Sequence, residues 1–111
     1  MHVKSYDPRE FNLDTRFKGD DFNSKFCLKI LGDGCSDILA IQDNVGDNSY
    51  FVRRVVIEDL ETYKLGTKQI VPNADLGAVE RCVKVYKAEH PEGSILVSDR
   101  LRSKFKEILD E

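Results

Sequence analysis

The chain has few of the residues that metal and disulfide chemistry require. Its three cysteines, Cys27, Cys35 and Cys82, form no CxxC pair, and only two histidines, His2 and His90, could join them. That spacing excludes a structural zinc site. The odd cysteine count, with no signal-peptide pattern ahead of it, points to reduced thiols and a cytoplasmic location. No apolar run approaches the roughly 20 residues that span a bilayer, so no membrane association is expected. Charge of one sign is also missing: 17 basic residues stand against 20 acidic ones, for a net charge of -3. Neither a general nucleic-acid binder nor a strongly acidic mimic of one is expected from that balance. Gly32-Asp33-Gly34 is followed by no Gly-Lys-Ser/Thr, and its local charge is negative, which excludes a phosphate-cradling loop.

What is present is apolar patterning. With 111 residues and 41% hydrophobic content the chain can bury one core. Residues 1–25 are polar and broken by Asp7-Pro8, Gly19 and Asp20-Asp21, which reads as an irregular N-terminal arm. Its aromatics Tyr6, Phe11, Phe17 and Phe22 are too many for a free tail, so the arm is expected to pack on the core or on a partner. Residues 26–111 read as a single α+β domain, a mainly antiparallel sheet packed by a C-terminal helix.

Within that domain, residues 26–31 and 37–42 are short apolar runs around a glycine-rich turn, the pattern of a β-hairpin. Residues 50–57 are apolar on both faces, interrupted by Arg53 and Arg54, which predicts a covered strand. Residues 58–64 fit a short helix or a loop, and Gly66 and Pro72 argue against regular structure beyond them. Residues 73–82 predict a short helix capped by Asn73, with Leu76, Val79 and Val83 on its apolar side and weakened by about 1 kcal/mol at Gly77. Residues 82–89 alternate as a strand, and His90-Pro91-Glu92-Gly93 has the proline and glycine placement of a type I turn. Ile95, Leu96 and Val97 then form a buried strand leading to Ser98 and Asp99, and Leu101, Phe105, Ile108 and Leu109 recur at helical spacing. Asp110 and Glu111 oppose the helix dipole, which predicts fraying of the last turn.

Candidate sites are sparse. The oxygen-rich loop from Asp43 invites a calcium reading, but the twelfth position, where an EF-hand needs a bidentate acid, is Arg54. No metal site and no cofactor are expected. Cys35 in a glycine-flanked turn, with His90 as a distant base, is the one nucleophile pairing the inventory allows. Otherwise no catalytic residue is assigned. Arg100, Arg102, Lys104 and Lys106 form a basic face on the terminal helix, open to phosphates or an acidic protein surface.

The stretch Gly93-Ser94-Ile95-Leu96-Val97-Ser98-Asp99-Arg100-Leu101-Arg102, followed by Phe105-Lys106-Glu107-Ile108-Leu109, resembles the closing segment of a family of bacterial immunity proteins. Those proteins neutralise toxins of contact-dependent and polymorphic-toxin systems. The similarity covers about 25 residues from Cys82 onward, and in that family the chain usually continues with a glycine and a further strand, whereas this sequence reaches Glu111. The resemblance implies an α+β domain that binds a cognate toxin and has no catalysis of its own.

The expectation is therefore a small non-catalytic inhibitory or binding module with a protein partner, a toxin or an enzyme. A phage-borne inhibitor of a host defence enzyme would have the same texture. The acidic loops holding Asp33, Asp37, Asp43 and Asp47 are the expected contact surface, since they could meet a basic nuclease cleft, and Tyr50 or an arm aromatic could provide the buried anchor. The rival from another class is a thiol-dependent enzyme or regulator using Cys35. A third reading, nucleic-acid binding through Arg53, Arg54 and the terminal helix, predicts affinity that falls steeply with salt.

Overall fold

A computed structural model describes residues 2–7, 36–44, 48–59 and 64–110. Five strands, β1 (His2–Tyr6), β2 (Asp37–Asp43), β3 (Tyr50–Asp59), β4 (Lys64–Ala74) and β5 (Ser94–Ser98), form one sheet in the order β1-β5-β2-β3-β4. Three described helices accompany it: α1 (Leu76–Glu89), α2 (Asp99–Lys104) and α3 (Lys106–Asp110). The chain is an α+β domain whose two longest ladders, β2–β3 and β3–β4, are antiparallel.

The sheet order follows from chain chemistry. β2 and β3 are joined through Asn44, whose backbone N–H donates to Ser49 O (3.2 Å). The Asn44 side-chain amide also donates to Ser49 Oγ (3.0 Å) and Pro72 O (2.7 Å), fastening this corner to β4. β5 lies parallel to β2, and a parallel neighbour requires a long crossover, which α1 supplies. Flanked by β1 and β2, β5 is buried along all five residues, so an unbroken Ile-Leu-Val run suits it.

Side-chain alternation divides the sheet into two covered faces. Leu39, Ile41, Val52, Ile95 and Val97 point to the helices, where they meet Val79, Val83 and Tyr86 of α1 and then Leu101, Phe105 and Leu109. On the other face Ile38, Ala40, Val55 and Leu96 are at most 1% exposed. The expected strand over residues 50–57 is thus present and buried on both sides.

The C-terminal segment follows its pattern. Ser98 caps α2, its Oγ accepting from Leu101 N (3.2 Å). The helix breaks at Phe105, whose ring is buried against Tyr50, edge to face at 5.0 Å. The expected fraying of the last turn meets a contrary contact: Lys87 Nζ donates to Leu109 O (2.6 Å) and reaches Ile108 O (3.5 Å). A cation at that end satisfies orphan carbonyls and complements the helix dipole.

Four expectations are corrected. Residues 2–6 are not irregular: they form β1, parallel to β5. Residues 82–89 are not a strand but the second half of α1, because Val79, Val83 and Tyr86 make a helical stripe that the core accepts. The cap of α1 is Asp75, whose Oδ1 accepts from Ala78 N (2.8 Å), and Asn73 instead belongs to β4, one residue before its end; Leu76, placed on the apolar side by its spacing, is 52% exposed. Residues 64–74 form a long strand despite Gly66 and Pro72. Pro72 is tolerated because β4 is an edge and the register shifts there, leaving it without a paired residue. Gly66 leaves room for the Glu58 side chain, which crosses it to reach Lys68 Nζ at 3.3 Å. The four-residue turn after α1 closes with Gly93 N–H donating to His90 O (2.9 Å). Gly93 has no Cβ because Tyr86 Oη occupies that space. The expected strand over 26–31, its glycine turn with Cys35, Cys27, and residues 8–25 of the arm lie outside the described residues.

Candidate functional site: the Asp37 cluster and the groove beside it

Asp37 begins β2 and ties together three elements. Arg54 of β3, opposite Leu39 on the helix-facing side, donates to it through Nε (3.1 Å to Oδ1) and Nη2 (2.6 Å to Oδ2). Tyr86 Oη of α1 donates to Oδ1 (2.9 Å), and His90 Nδ1 lies 3.8 Å from Oδ2. Burial pushes the Asp37 carboxyl pKa up. The bonds from Arg54 and Tyr86 and the charges of Arg54 and His90 outweigh that and hold it below the ordinary aspartate value. The bond to Asp37 in turn raises Arg54. A bidentate guanidinium–carboxylate pair is geometrically specific, so its first role here is to fix β2, β3 and α1 in register.

That placement gives several of the expected contact residues partners within the fold. Asp37 is spent inside the fold, and Asp43 is paired with Arg100. Tyr50, the expected anchor, is 6% exposed and packs on Phe105, so it has no free face for a partner. Asp33 and Asp47 lie outside the described residues. The basic face is equally engaged: Arg102 reaches Asp110 at 3.6 Å and Lys104 Nζ sits 5.3 Å from the Tyr50 ring centroid. Lys106 alone of the four has no ion pair or ring contact among the described residues. Arg53 and Arg54, the other phosphate candidates, do not form an open basic patch: Arg54 is held by Asp37, and burial lowers the pKa of Arg53, with Tyr6 opposing.

The open feature includes Arg53, Arg54 and His90 at its border, but none of the expected acidic or terminal-helix contact residues. α1 covers the inner strands but leaves the β3–β4 side exposed, and a groove of about 360 Å³ runs between them. Val52, Arg54, Gln69 and Val71 belong to its floor, and Arg81, Cys82, Val85 and Glu89 to its helical wall. Apolar side chains stand in water around it: Val85 is 54% exposed, and Val71, opposite Val52 on the helix-facing side, is exposed as well, whereas Ile70, opposite Arg53, belongs to the other face. Grooves of this size, apolar with a few polar groups, are the usual form of a binding site. Val85 carried a signal, since it is the apolar residue of α1 that falls off the Val79, Val83, Tyr86 stripe. It is legible only once residues 82–89 are known to be helical.

Chemistry in the groove is limited. Burial pushes the Cys82 thiol up, with Arg81 opposing, which disfavours the thiolate. Among the described residues no group of three or more His, Cys, Asp or Glu side chains is placed to hold a metal ion. No described helix is long and apolar enough to cross a membrane. The chain matches no family model, no curated protein sequence and no solved structure.

Proposed function

We propose that this chain is a small non-catalytic protein-binding module, acting in the cytoplasm as an inhibitor of its partner, and that the partner docks on the groove between α1 and β4. The carrying observation is the exposure of Val71 and Val85 on the two walls of one concavity. Clustered apolar residues at a groove mark interaction surfaces, whereas scattered ones do not. An immunity protein neutralising a cognate toxin is the form of this function that the C-terminal resemblance suggests. A phage-borne inhibitor of a host enzyme would use the same surface.

The test is partner capture from host lysate with tagged wild type and Val85→Lys. A stoichiometric protein held by the wild type and lost from an equally folded variant supports the reading. Capture that ignores the groove substitution sinks it.

One observation favours a second reading, a thiol-dependent enzyme or regulator using Cys35 with His90. His90 has an acidic neighbour in Asp37 at 3.8 Å, and both border a concavity of about 290 Å³ that also includes Ser36. An imidazole beside a carboxylate is the arrangement that orients a base. Under this reading Cys35→Ser and His90→Ala each abolish activity without altering the fold; under the binding reading both leave partner capture unchanged.

A further inference from the structure

Building on the docking role assigned to the groove, its charge pattern specifies what kind of segment fits. Arg81, Val85 and Glu89 follow one another at four-residue spacing on α1, so they form one stripe, and all three border the groove. The stripe reads cation, apolar, anion. Neighbouring charges are already matched within the fold: Arg54 with Asp37, Lys68 with Glu58 (3.3 Å) and Lys84 with Glu80 (3.2 Å). Arg81 is exposed and has no ion pair among the described residues. The Glu89 side chain is 67% exposed and has no ion pair with a Lys or Arg within 4 Å among the described residues, although His90 Nε2 lies 3.9 Å away and Arg54 is near enough to feel its charge.

The spacing selects a conformation for the occupant. Eight residues of helix separate Arg81 from Glu89 by about 12 Å along the axis. In an extended chain, residues i and i+4 are about 13 Å apart, and i, i+2 and i+4 share one face. We propose that the groove takes an extended segment of a partner protein that carries an acid, an apolar residue and a base at alternate positions. Its acid meets Arg81, its apolar side chain seats between Val85 and Val71, and its base meets Glu89. The segment lies along α1 over the sheet rather than extending it, because β4 carries Lys68, Pro72 and three register shifts, features that discourage strand addition at an edge.

The test is an NMR titration of the labelled full chain with three synthetic peptides at millimolar concentration: Ac-Glu-Thr-Leu-Thr-Lys-NH2, Ac-Lys-Thr-Leu-Thr-Lys-NH2 and Ac-Glu-Thr-Gly-Thr-Lys-NH2. The first is expected to shift the amides of Val71, Arg81, Val85 and Glu89. The bis-lysine peptide should bind about twofold to fivefold more weakly, the range set by one exposed ion pair, and the glycine peptide should lose most of its effect. Arg81→Glu, with an unchanged circular dichroism spectrum, should reverse the preference in favour of the bis-lysine peptide. Shifts that ignore peptide charge, shifts centred elsewhere, or no groove shift with any peptide overturn the inference. Failure here with groove-dependent capture intact leaves the docking role standing; peptide binding as expected with capture indifferent to Val85→Lys removes the docking role instead.

Discussion

Tyr86 Oη donates to Asp37 Oδ1 at 2.9 Å across 49 residues of sequence, joining the last turn of α1 to the first residue of β2. The same hydroxyl lies over Gly93, so one phenol holds the helix, the sheet and the following turn together. Removing it with Tyr86→Phe keeps the ring and deletes the bond. A bond to a charged acceptor contributes about 1.5–3 kcal/mol, and Arg54 still satisfies the carboxylate, so a loss of about 1–2 kcal/mol is expected in urea unfolding.

Asp37 also sets a pH dependence. Its carboxyl in the fold lies below the ordinary value of 3.8, so the unfolded chain takes up this proton first as pH falls. The stabilisation is fully present above pH 3.8 and is lost as pH drops through the depressed folded value. Asp37→Asn should be less stable than wild type at neutral pH and show a flatter loss of stability on the acid side. Urea midpoints measured from neutral pH downward test this.

Gly77 sits in the first turn of α1, and a Cβ there would meet Arg81 Nη1 at 3.4 Å, an ordinary contact. Gly77→Ala should therefore raise stability by about 0.5–1 kcal/mol through helix propensity and a less flexible unfolded chain. Thermal unfolding would show the gain, and a lower midpoint would mean that Arg81 cannot adjust.

Lys87 holds the carbonyls of Leu109 and Ile108. Replacing it by methionine keeps an apolar stem and removes the donor. Lys87→Met should cost about 1 kcal/mol and speed hydrogen exchange in α3 more than in α2.

Val83 and Val85 separate core from surface on α1. Val83 is fully buried, so Val83→Ala is expected to cost about 1–3 kcal/mol. Val85→Lys, on the exposed rim, should change stability by no more than about 0.5 kcal/mol. Were residues 82–89 an alternating strand, both valines would share a face and the two substitutions would not diverge in this way.

How far the sequence alone could be read depended on how strongly one period dominated. β3, β5 and the capped helix after Ser98 were legible because their apolar residues follow one period and their boundaries carry turn or cap residues. Cys82-Val83-Lys84-Val85 looked like alternation because an exposed valine happened to sit beside a buried one. β4 was hidden by Pro72 and Gly66, which an edge strand with register shifts can hold. β1 is five residues of mixed polarity, and only its distant partner β5 makes it a strand. The groove was illegible for a related reason: Arg81 falls in the expected helix, but Val71 reads as irregular and Val85 and Glu89 as strand, so the three elements could not be brought to one face. Charges misled as well, since Asp37 and Asp43 read as free acids until the fold supplied Arg54 and Arg100.

The pairing of β1 with β5 imposes an order on the birth of this fold. His2–Tyr6 leaves the ribosome well ahead of its hydrogen-bonding partner Ser94–Ser98, with β2, β3, β4 and α1 made in between. Until β5 is made, β1 has no edge to join, and β2 lacks its β5 neighbour on the same account. The β2–β3–β4 meander can assemble during translation, whereas closure of the sheet must wait for the C-terminal segment to emerge. Loss of β5 would thus strand β1 and uncover β2 at once.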